Sequence, residues 1–534
     1  MSESTKKQSF LHGAALLAMA TAVVKLIGAF YKIPLKMIIG DQGYGYFATA
    51  YDVYSVLLLI STAGLPVAMS RMTSQANALG NHNQVRRIYQ TARAIFLGLG
   101  IVSSLFMVLG SSWLARALEQ PNAATAIACL GPCALFMGII STFRGFFQGH
   151  GNMRPTSSSQ VLEATCKLVV GLGLAFFVMQ RYSSVPLAAG GAILGVTVSC
   201  AVSAVFLYSK FRPAYRELGV SEETPLSFGA TAKSLLAIAV PITIGSAGLQ
   251  LLVVLEQKLY MSQLLTANGL SQDVADTMKG IYSMTMTIYN MPCAFIVPIA
   301  ISVIPAITSH LTLQNNRGVR ETEESAARIA GLISLPCSVG LFVLARPVMA
   351  LLGGYAGEKL ALAANLMRIL SLCIFLYAII QYTNALLQAH GFAHIPVVNM
   401  LLAGVVKLGV VYMLVGNPRL GIMGAPIGSV LGYTAIATMN LTGIARVVPQ
   451  KPSLLRNLLR PVLPAAIMGV AVFGVYWGLT QLIGQDGSRV ILCGAPIAVG
   501  VAVYCLAVVK CKSITAGDCQ LLPKGDKIAK LLKL

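Results

Sequence analysis

The chain has 534 residues, of which 56% are hydrophobic and only 11% are charged. Soluble domains carry about 25% charged residues because their surfaces face water. This composition therefore excludes a soluble protein and indicates a multi-pass helical membrane protein. The formal net charge of +21 does not by itself indicate nucleic acid, since basic residues of membrane proteins collect in the loops on one side of the bilayer.

The membrane segments begin close to the N-terminus. Residues 1–9 are polar, and the apolar stretch after them lacks a small-residue cleavage site, so we predict a first span and no cleaved signal peptide. A spanning helix needs about 20 mainly apolar residues, which predicts fourteen spans, with a short interfacial segment at 33–45. In chain order the spans are 10–33, 46–69, 88–114, 122–143, 159–180, 186–209, 234–262, 281–309, 326–352, 360–387, 397–415, 422–445, 461–483 and 489–509.

The loop charges predict the orientation. If the N-terminus is cytoplasmic, the inside segments hold 25 lysines and arginines and the outside loops hold 8. Such a bias places both termini in the cytoplasm, and it explains most of the net charge without nucleic acid. The eleven cysteines include no C-x-x-C pair, and most lie in apolar runs. We read them as reduced, buried side chains that form no disulfide or zinc framework.

An internal repeat divides the chain. Gln148, His150 and Lys167 are matched 240 residues later by Gln388, His390 and Lys407. Residues 1–225 (spans 1–6) and 226–450 (spans 7–12) are therefore predicted to form two parallel lobes, an arrangement suited to alternating access through a site between them. Residues 451–510 hold spans 13 and 14. Residues 511–534 form a basic cytoplasmic tail, either a topology anchor, which we favour, or a membrane-surface segment.

Charges inside spans are costly, so they face a cavity, pair with a partner or reach the interface. Lys25 and Lys32 lie seven residues apart on one face of span 1, with Gly28 between them. Lys25 lies near mid-depth, where we favour a role as an anion ligand. Lys32 lies near the outer end, where ligand binding and snorkelling to the interface stay open alternatives.

The other intramembrane charges are more ambiguous. On span 5, Glu163 and Lys167 are four residues apart and can form a structural pair or contribute to a site. Lys407 occupies the place of Lys167 in the second repeat, where Ala403 replaces the glutamate. The remaining charges are Glu256 and Lys258, which point to different sides of span 7, Arg368, for which outward snorkelling is favoured, and Asp52.

Together these residues predict a basic cavity that favours an anion such as pyrophosphate. Asp52, Glu163 and Glu256 are candidates for ion coupling or for structural pairing. The sequence has no Walker motif, no H-E-x-x-H and no G-x-S-x-G. We therefore expect no catalytic residue, metal or cofactor, and transport driven by an ion gradient, the membrane potential or consumption of the product.

Four segments resemble a known superfamily: KLIGAFYKIPLKMIIG (25–40), STAGLPVAMSR (61–71), FRGFFQGHGNMRPTSSSQVLE (143–163) and YNMPCAFIVPIAISVIPAITSH (289–310). They look like the flippases of the multidrug/oligosaccharidyl-lipid/polysaccharide superfamily. Within it, the chain resembles the stage V sporulation protein B branch, which is similar to MurJ-type lipid II flippases. The resemblance covers nearly the whole chain.

The resemblance implies a V-shaped, two-lobed bundle with a cationic cavity for lipid II, and a groove at spans 13 and 14 for the polyprenyl tail. It implies a bacterial plasma-membrane flippase that works as a monomer among membrane lipids. Lys25 matches a basic residue of the family directly, and Lys32 matches a second one approximately. The arginines that Gram-negative members carry in span 2 and before the proline of span 8 are absent from 54–61 and 285–292. Lys167, Lys258 or Lys407 would then replace them.

Three other functions remain as alternatives. A flippase for another polyprenyl-pyrophosphate oligosaccharide would need the same basic cavity. A cation-coupled multidrug exporter would need acidic residues facing its cationic cargo, which the basic excess disfavours. A membrane-embedded glycosyltransferase would need paired carboxylates near an interface, and the longest outside loop, about 263–280, offers only Asp273 and Asp276.

Overall fold

The computed structural model describes residues 3–62, 64–219, 221–449, 452–484, 487–515 and 518. Side chains of some residues within the helices lie outside this description, and Lys25 is one of them. Most of the predicted tail, 511–534, also lies outside the described residues. Within the described ranges all regular secondary structure is helical.

The described helices follow one another with short connections. In chain order they are α1 (Glu3–Thr62), α2 (Leu65–Ala78), α3 (His82–Leu109), α4 (Ser111–Ala117), α5 (Ala124–Gly149), α6 (Arg154–Tyr182), α7 (Val185–Arg216), α8 (Phe228–Thr266), α9 (Gln272–Thr312), α10 (Asn316–Val343), α11 (Ala345–Leu351), α12 (Gly357–Ala389), α13 (His394–Val415), α14 (Gly424–Val447), α15 (Leu454–Leu459), α16 (Val462–Ile483) and α17 (Arg489–Lys510). Short 3₁₀ turns at Pro121–Ala123 and Gly421–Met423 precede α5 and α14.

The apolar runs coincide with these helices. Among the described residues, ten helical stretches are long and apolar enough to cross a bilayer. They cover predicted spans 3 to 6 and 9 to 14. The other four spans fall on α1, α2, α8 and α9. The chain is thus a multi-pass membrane protein, and the count of fourteen spans stays a prediction.

The first two predicted spans are not separated by an irregular segment. Helix α1 continues through the expected interfacial stretch 33–45 and changes direction at Gly40, whose φ of 71° and ψ of −175° are not helical. A positive φ is unstrained only in glycine, so this residue allows two helical segments to join without a loop. The second predicted span instead contains the boundary between Thr62, where α1 ends, and Leu65, where α2 begins.

The chain divides into two compact units, residues 1–283 and 284–534. The first unit holds α1 to α8 and the first part of α9. The second unit holds the rest of α9 and α10 to α17. The predicted lobe boundary after residue 225 is a different division, and the two lobes stay a prediction.

The order of elements is repeated along the chain. Helices α10 and α11 begin at Asn316 and Ala345, each 234 residues after the first residues of α3 and α4, and the members of each pair are equally long. Asn81 caps α3 and Asn315 caps α10, each through a side-chain oxygen that accepts from a backbone N–H of the first turn, at 2.8 and 2.9 Å. This match supports the duplication inferred from the sequence.

Each unit has a buried core of its own. In the first unit, aromatic rings fill the space between helices. Phe211 is stacked on Tyr89, with ring centroids 4.5 Å apart, and meets Phe146 edge-to-face at 5.0 Å. In the second unit, aliphatic side chains from α10, α12 and α15 pack together, among them Leu386 and Leu458. Packing inside each unit therefore fixes the helices that carry its charged side chains.

Candidate substrate-binding site

A buried ion pair links α1 and α9 inside the first unit. The Nζ of Lys279 lies 3.7 Å from Oδ2 of Asp52, and the lysine side chain is only 1% exposed. Its Nζ also lies 5.9 Å from the ring centroid of Tyr260 on α8. In the sequence, Lys279 falls in the predicted outside loop 263–280, whereas in the structure it lies within α9, which already begins at Gln272.

Glu256 adds a second carboxylate to this region. It lies one helical turn before Tyr260, on the side of α8 that faces the protein, and is 8% exposed. Its charge interacts with that of Asp52. Two of the three predicted acidic residues, Asp52 and Glu256, are therefore together, and the buried ammonium of Lys279 balances part of their charge.

Two half-buried lysines lie next to this acidic group. Lys32 on α1 is close enough to Lys167 on α6 and to Asp52 on α1 for their charges to interact. The Nζ of Lys167 lies 5.7 Å from the ring centroid of Tyr31, whose hydroxyl donates to the carbonyl of Ala192 at 3.2 Å. Among the described residues, neither lysine has a carboxylate within ion-pair distance. The structure thus brings two like charges together, which an anion between them would stabilise.

Glu163 does not contact Lys167, although the two were candidates for a pair. Its Oε2 lies 3.0 Å from Nη2 of Arg144 on α5, and Nε of the same arginine donates to Ser159 Oγ at 3.1 Å. An arginine fork engages a carboxylate and a second acceptor better than a lysine does. The glutamate therefore links α5 to α6. Its charge still interacts with that of Lys167, but among the described residues no carboxylate lies within ion-pair distance of this ammonium.

Neutral side chains form a hydrogen-bond network around the carboxylate of Asp276, a residue that the sequence predicts to lie in a loop. Its carboxylate accepts from Tyr46 Oη at 3.0 Å and from Gln120 Nε2 at 2.9 Å. Gln120 is also hydrogen-bonded to the hydroxyl of Thr49, which accepts from Gln257 Nε2 at 3.0 Å. These contacts hold α1, α8 and α9 together with the segment before α5, and they satisfy polar groups that burial would otherwise penalise.

The other predicted ligands make none of the contacts described above. Lys258 is exposed on α8. In the second unit, Lys407 lies 5.9 Å from the ring centroid of Tyr433. Arg368 is exposed and donates to Asn365 at 3.0 Å, which agrees with an outward-reaching side chain. The side chain of Lys25 lies outside the described residues, so its role stays a prediction.

Sequence reasoning missed Lys279, Arg144 and Asp276 as members of this region. A signal was present for one pair: Asp276 and Lys279 are three residues apart, which places them on one helical face directly before an apolar run. Among the described residues, no group of three or more His, Cys, Asp or Glu side chains is placed to hold a metal ion.

Comparison with known families shows to which family the chain belongs. The family model described as polysaccharide biosynthesis protein matches residues 10–310, which is more than half of the chain. The chain belongs to this family. A second model, MatE, matches residues 253–413, and the chain is a member of the multidrug/oligosaccharidyl-lipid/polysaccharide superfamily that the sequence resembled.

Individual relatives agree with this membership. The chain is 24% identical to stage V sporulation protein B of Bacillus subtilis (strain 168), over 97% of this chain and 98% of the relative. It is also 24% identical to the lipid II flippase MurJ of the same organism, over 93% and 94% of the two chains. A solved lipid II flippase MurJ in an inward closed conformation matches 92% of this chain and 98% of its own, with a TM-score of 0.65 and 13% identity. The fold is thus that of flippases and transporters.

Proposed function

We propose that the protein is a flippase for lipid II, which moves this polyprenyl-pyrophosphate-linked sugar-peptide from the inner to the outer leaflet by alternating access. The observation that carries the proposal is the pair of lysines, Lys32 and Lys167, whose charges interact and which have no carboxylate within ion-pair distance among the described residues. Family membership and the MurJ relative, which matches over nearly the full length of both chains, support the same class of cargo.

Pyrophosphate is the group of lipid II that such a site would recognise. Each lysine ammonium can donate charge-assisted hydrogen bonds to phosphate oxygens, which are stronger than neutral ones. A dianion between the two lysines would also remove their mutual repulsion. Asp52, whose charge interacts with those of Lys32 and Glu256, would then take part with Glu256 in ion coupling or in releasing the substrate. The driving force would be an ion gradient or the membrane potential.

The test is complementation of a bacterial strain depleted of its lipid II flippase. Lys32→Gln and Lys167→Gln should each reduce flipping about tenfold or more, because each removes a charged hydrogen bond of roughly 1.5–3 kcal/mol. Lys210→Gln is the matched control, since that lysine is exposed near the end of α7 and is not a candidate ligand, and it should complement fully. Accumulation of lipid II on the inner face, measured by its protection from an external modifying enzyme, is the readout.

Lys25 belongs to the same hypothesis through its position on span 1. We expect Lys25→Ala to abolish or cripple complementation at normal expression and Lys25→Arg to keep partial function, because the positive charge persists. If all three glutamine or alanine variants complement as well as the wild type at low expression, the cationic site does not bind the substrate and the proposal fails.

Complementation of a second mutant strain distinguishes another cargo. If the wild-type protein fails to restore lipid II flipping but restores a capsule or exopolysaccharide unit in a flippase mutant, the substrate is another polyprenyl-pyrophosphate oligosaccharide. The MatE match over residues 253–413, together with Asp52 and Glu256, favours testing a multidrug exporter as well. That function predicts resistance to cationic dyes that Glu256→Gln abolishes and that Lys32→Gln leaves intact.

A further inference from the structure

The second unit contains an open cavity of about 640 Å³ between the start of α10 and the short helix α15. Its walls are rich in charged side chains, with one acidic and three basic residues. The lining residues are Glu324, Arg328, Ser453, Arg456, Asn457, Leu459 and Arg460. The loop charges predict that this end of the second unit faces the cytoplasm.

One wall of the cavity is held rigidly. Oε1 of Glu324 accepts from the backbone N–H of Ser453 at 3.1 Å and from the hydroxyl of the same residue at 2.8 Å. The carboxylate also pairs with Arg320, whose Nε lies 3.1 Å from Oε1. Both groups of this pair are thereby satisfied, and α15 is fixed against α10 at Ser453, the residue that precedes its first turn.

A second ion pair in the cavity wall neutralises the charge of Arg328. Its guanidinium binds Asp518, with Nε 3.0 Å and Nη2 2.8 Å from the carboxylate oxygens, and the aspartate side chain is fully buried. Its Nη1 donates to Asn457 Oδ1 at 2.7 Å. This paired arginine contributes no net charge to the cavity. It holds α15 and the segment after α17 in place.

Arg456 and Arg460 are the remaining charges. They lie four residues apart, so they share one face of the chain at α15, and both are exposed. Among the described residues, neither has a carboxylate within ion-pair distance. The cavity therefore keeps two positive charges on a fixed frame, and a planar guanidinium fork is the side chain best suited to phosphate oxygens.

Apolar side chains lie directly beside these arginines. Leu455 is 54% exposed, Leu459 is 41% exposed and Leu463, in the first turn of α16, is 61% exposed. The residues are interleaved with the two arginines where a predicted membrane span begins. A ligand that satisfies both features carries an anionic phosphate and acyl chains, whereas a free phosphate would leave the leucines uncovered.

We propose that this cavity binds the phosphate headgroup of an anionic phospholipid, with Arg456 and Arg460 as its ligands. The proposal concerns a site separate from the lysines of the first unit. The lipid would bridge α10, α15 and the start of α16, and its chains would lie against the exposed leucines. Because the frame is built by Glu324 and Arg328, the two ligand arginines can be replaced without removing the contacts that hold α15.

Native mass spectrometry of the purified full-length protein tests the proposal. The probe lipid is phosphatidylglycerol, compared with phosphatidylcholine of the same chains and with inorganic phosphate. Replacing both ligands, Arg456→Gln with Arg460→Gln, should weaken phosphatidylglycerol binding about thirtyfold, since each basic residue contributes about a fivefold factor to binding an anionic lipid surface. The control is Arg212→Gln with Arg216→Gln, two exposed arginines of α7 with the same spacing.

The result that supports the proposal is loss of phosphatidylglycerol in the first double variant and its retention in the control, with phosphatidylcholine binding weakly throughout. Equal affinities of the wild type and the Arg456/Arg460 variant would overturn it, as would an equal loss in the control. Inorganic phosphate binding as tightly as the lipid would overturn the assignment to a lipid. If the double variant proves poorly folded, each single substitution gives the same test with about a fivefold loss.

Discussion

At the scale of single residues, the charges of the first unit fall into two groups with different roles. Lys279 is fully buried and has a carboxylate partner, Asp52. Lys32 and Lys167 are half-buried, and neither has an acidic contact among the described residues. A buried ammonium is tolerated only when it is paired, so the first lysine is structural in this conformation. The other two are available to an anionic ligand.

The ion pair between Lys279 and Asp52 predicts a loss of stability in one variant that a second substitution reverses. Asp52→Asn leaves a buried positive charge without its partner, and we expect a loss of about 1–3 kcal/mol. This is below the full cost of breaking a buried pair because the aspartate is partly exposed and the pair is 3.7 Å apart. The second substitution Lys279→Met removes that charge and should restore the apparent melting temperature in detergent. A double variant no more stable than Asp52→Asn alone would show that the pair is not the cause.

At the scale of elements, the first part of α9 packs on α1 through glycine. A Cβ built on Gly280 would lie 1.8 Å from the carbonyl oxygen of Asp41, and one built on Gly45 would lie 3.1 Å from that of Asp276. Backbones approach this closely only where side chains are absent. This approach brings Lys279 within reach of Asp52, so the ion pair depends on the helix contact.

Gly280→Ala is therefore expected to force the two helices apart. The methyl group would overlap a backbone atom that cannot rotate away, and overpacking of this kind costs about 1–3 kcal/mol. We expect a lower apparent melting temperature in detergent and weaker complementation. Gly98→Ala on α3 is the control, since a Cβ there meets nothing within 4 Å and alanine favours a helix by up to about 1 kcal/mol. An equal fall in melting temperature for both substitutions would contradict the close contact between α1 and α9 at Gly280.

At the scale of the whole molecule, the repeated order of helices predicts a duplicated six-span unit, and the loop charges predict its orientation in the membrane. Helices α5 and α12 both end before a histidine, His150 or His390, that is followed by a glycine with φ of 73° or 86°. A duplicated six-span unit with one orientation in the membrane requires such equivalent turns on one side. We expect the two histidines to superpose when the predicted lobes are overlaid.

The orientation itself is testable with labelled cysteines. In a variant without the eleven native cysteines, Gly525→Cys should resist a membrane-impermeant maleimide on intact cells and react after lysis, because the positive loops predict that both termini are inside. Ser488→Cys, exposed in the connection between α16 and α17, is the positive control and should react from outside. Labelling of the tail cysteine in intact cells would reverse the orientation.

The amino-acid sequence alone determined most of the helices and the family, although it did not locate the boundary between α1 and α2 or the start of α9. These features depend on local composition: a run of about 20 apolar residues can satisfy its backbone in a bilayer only as a helix, and a repeated motif is visible without any fold. The placement of Asp52, Lys167 and Lys407 on helices followed from the same runs.

The partners of those charges were decided only by the tertiary structure. Glu163 is four residues from Lys167, yet it pairs with Arg144 from another helix. Lys279 falls in a predicted loop, but in the structure it lies on α9, which packs on α1 at Gly280. Helical spacing tells which side chains share a face. It does not tell which helix faces them, because this depends on the close approach of backbones from distant parts of the chain, where one glycine can decide which charges meet.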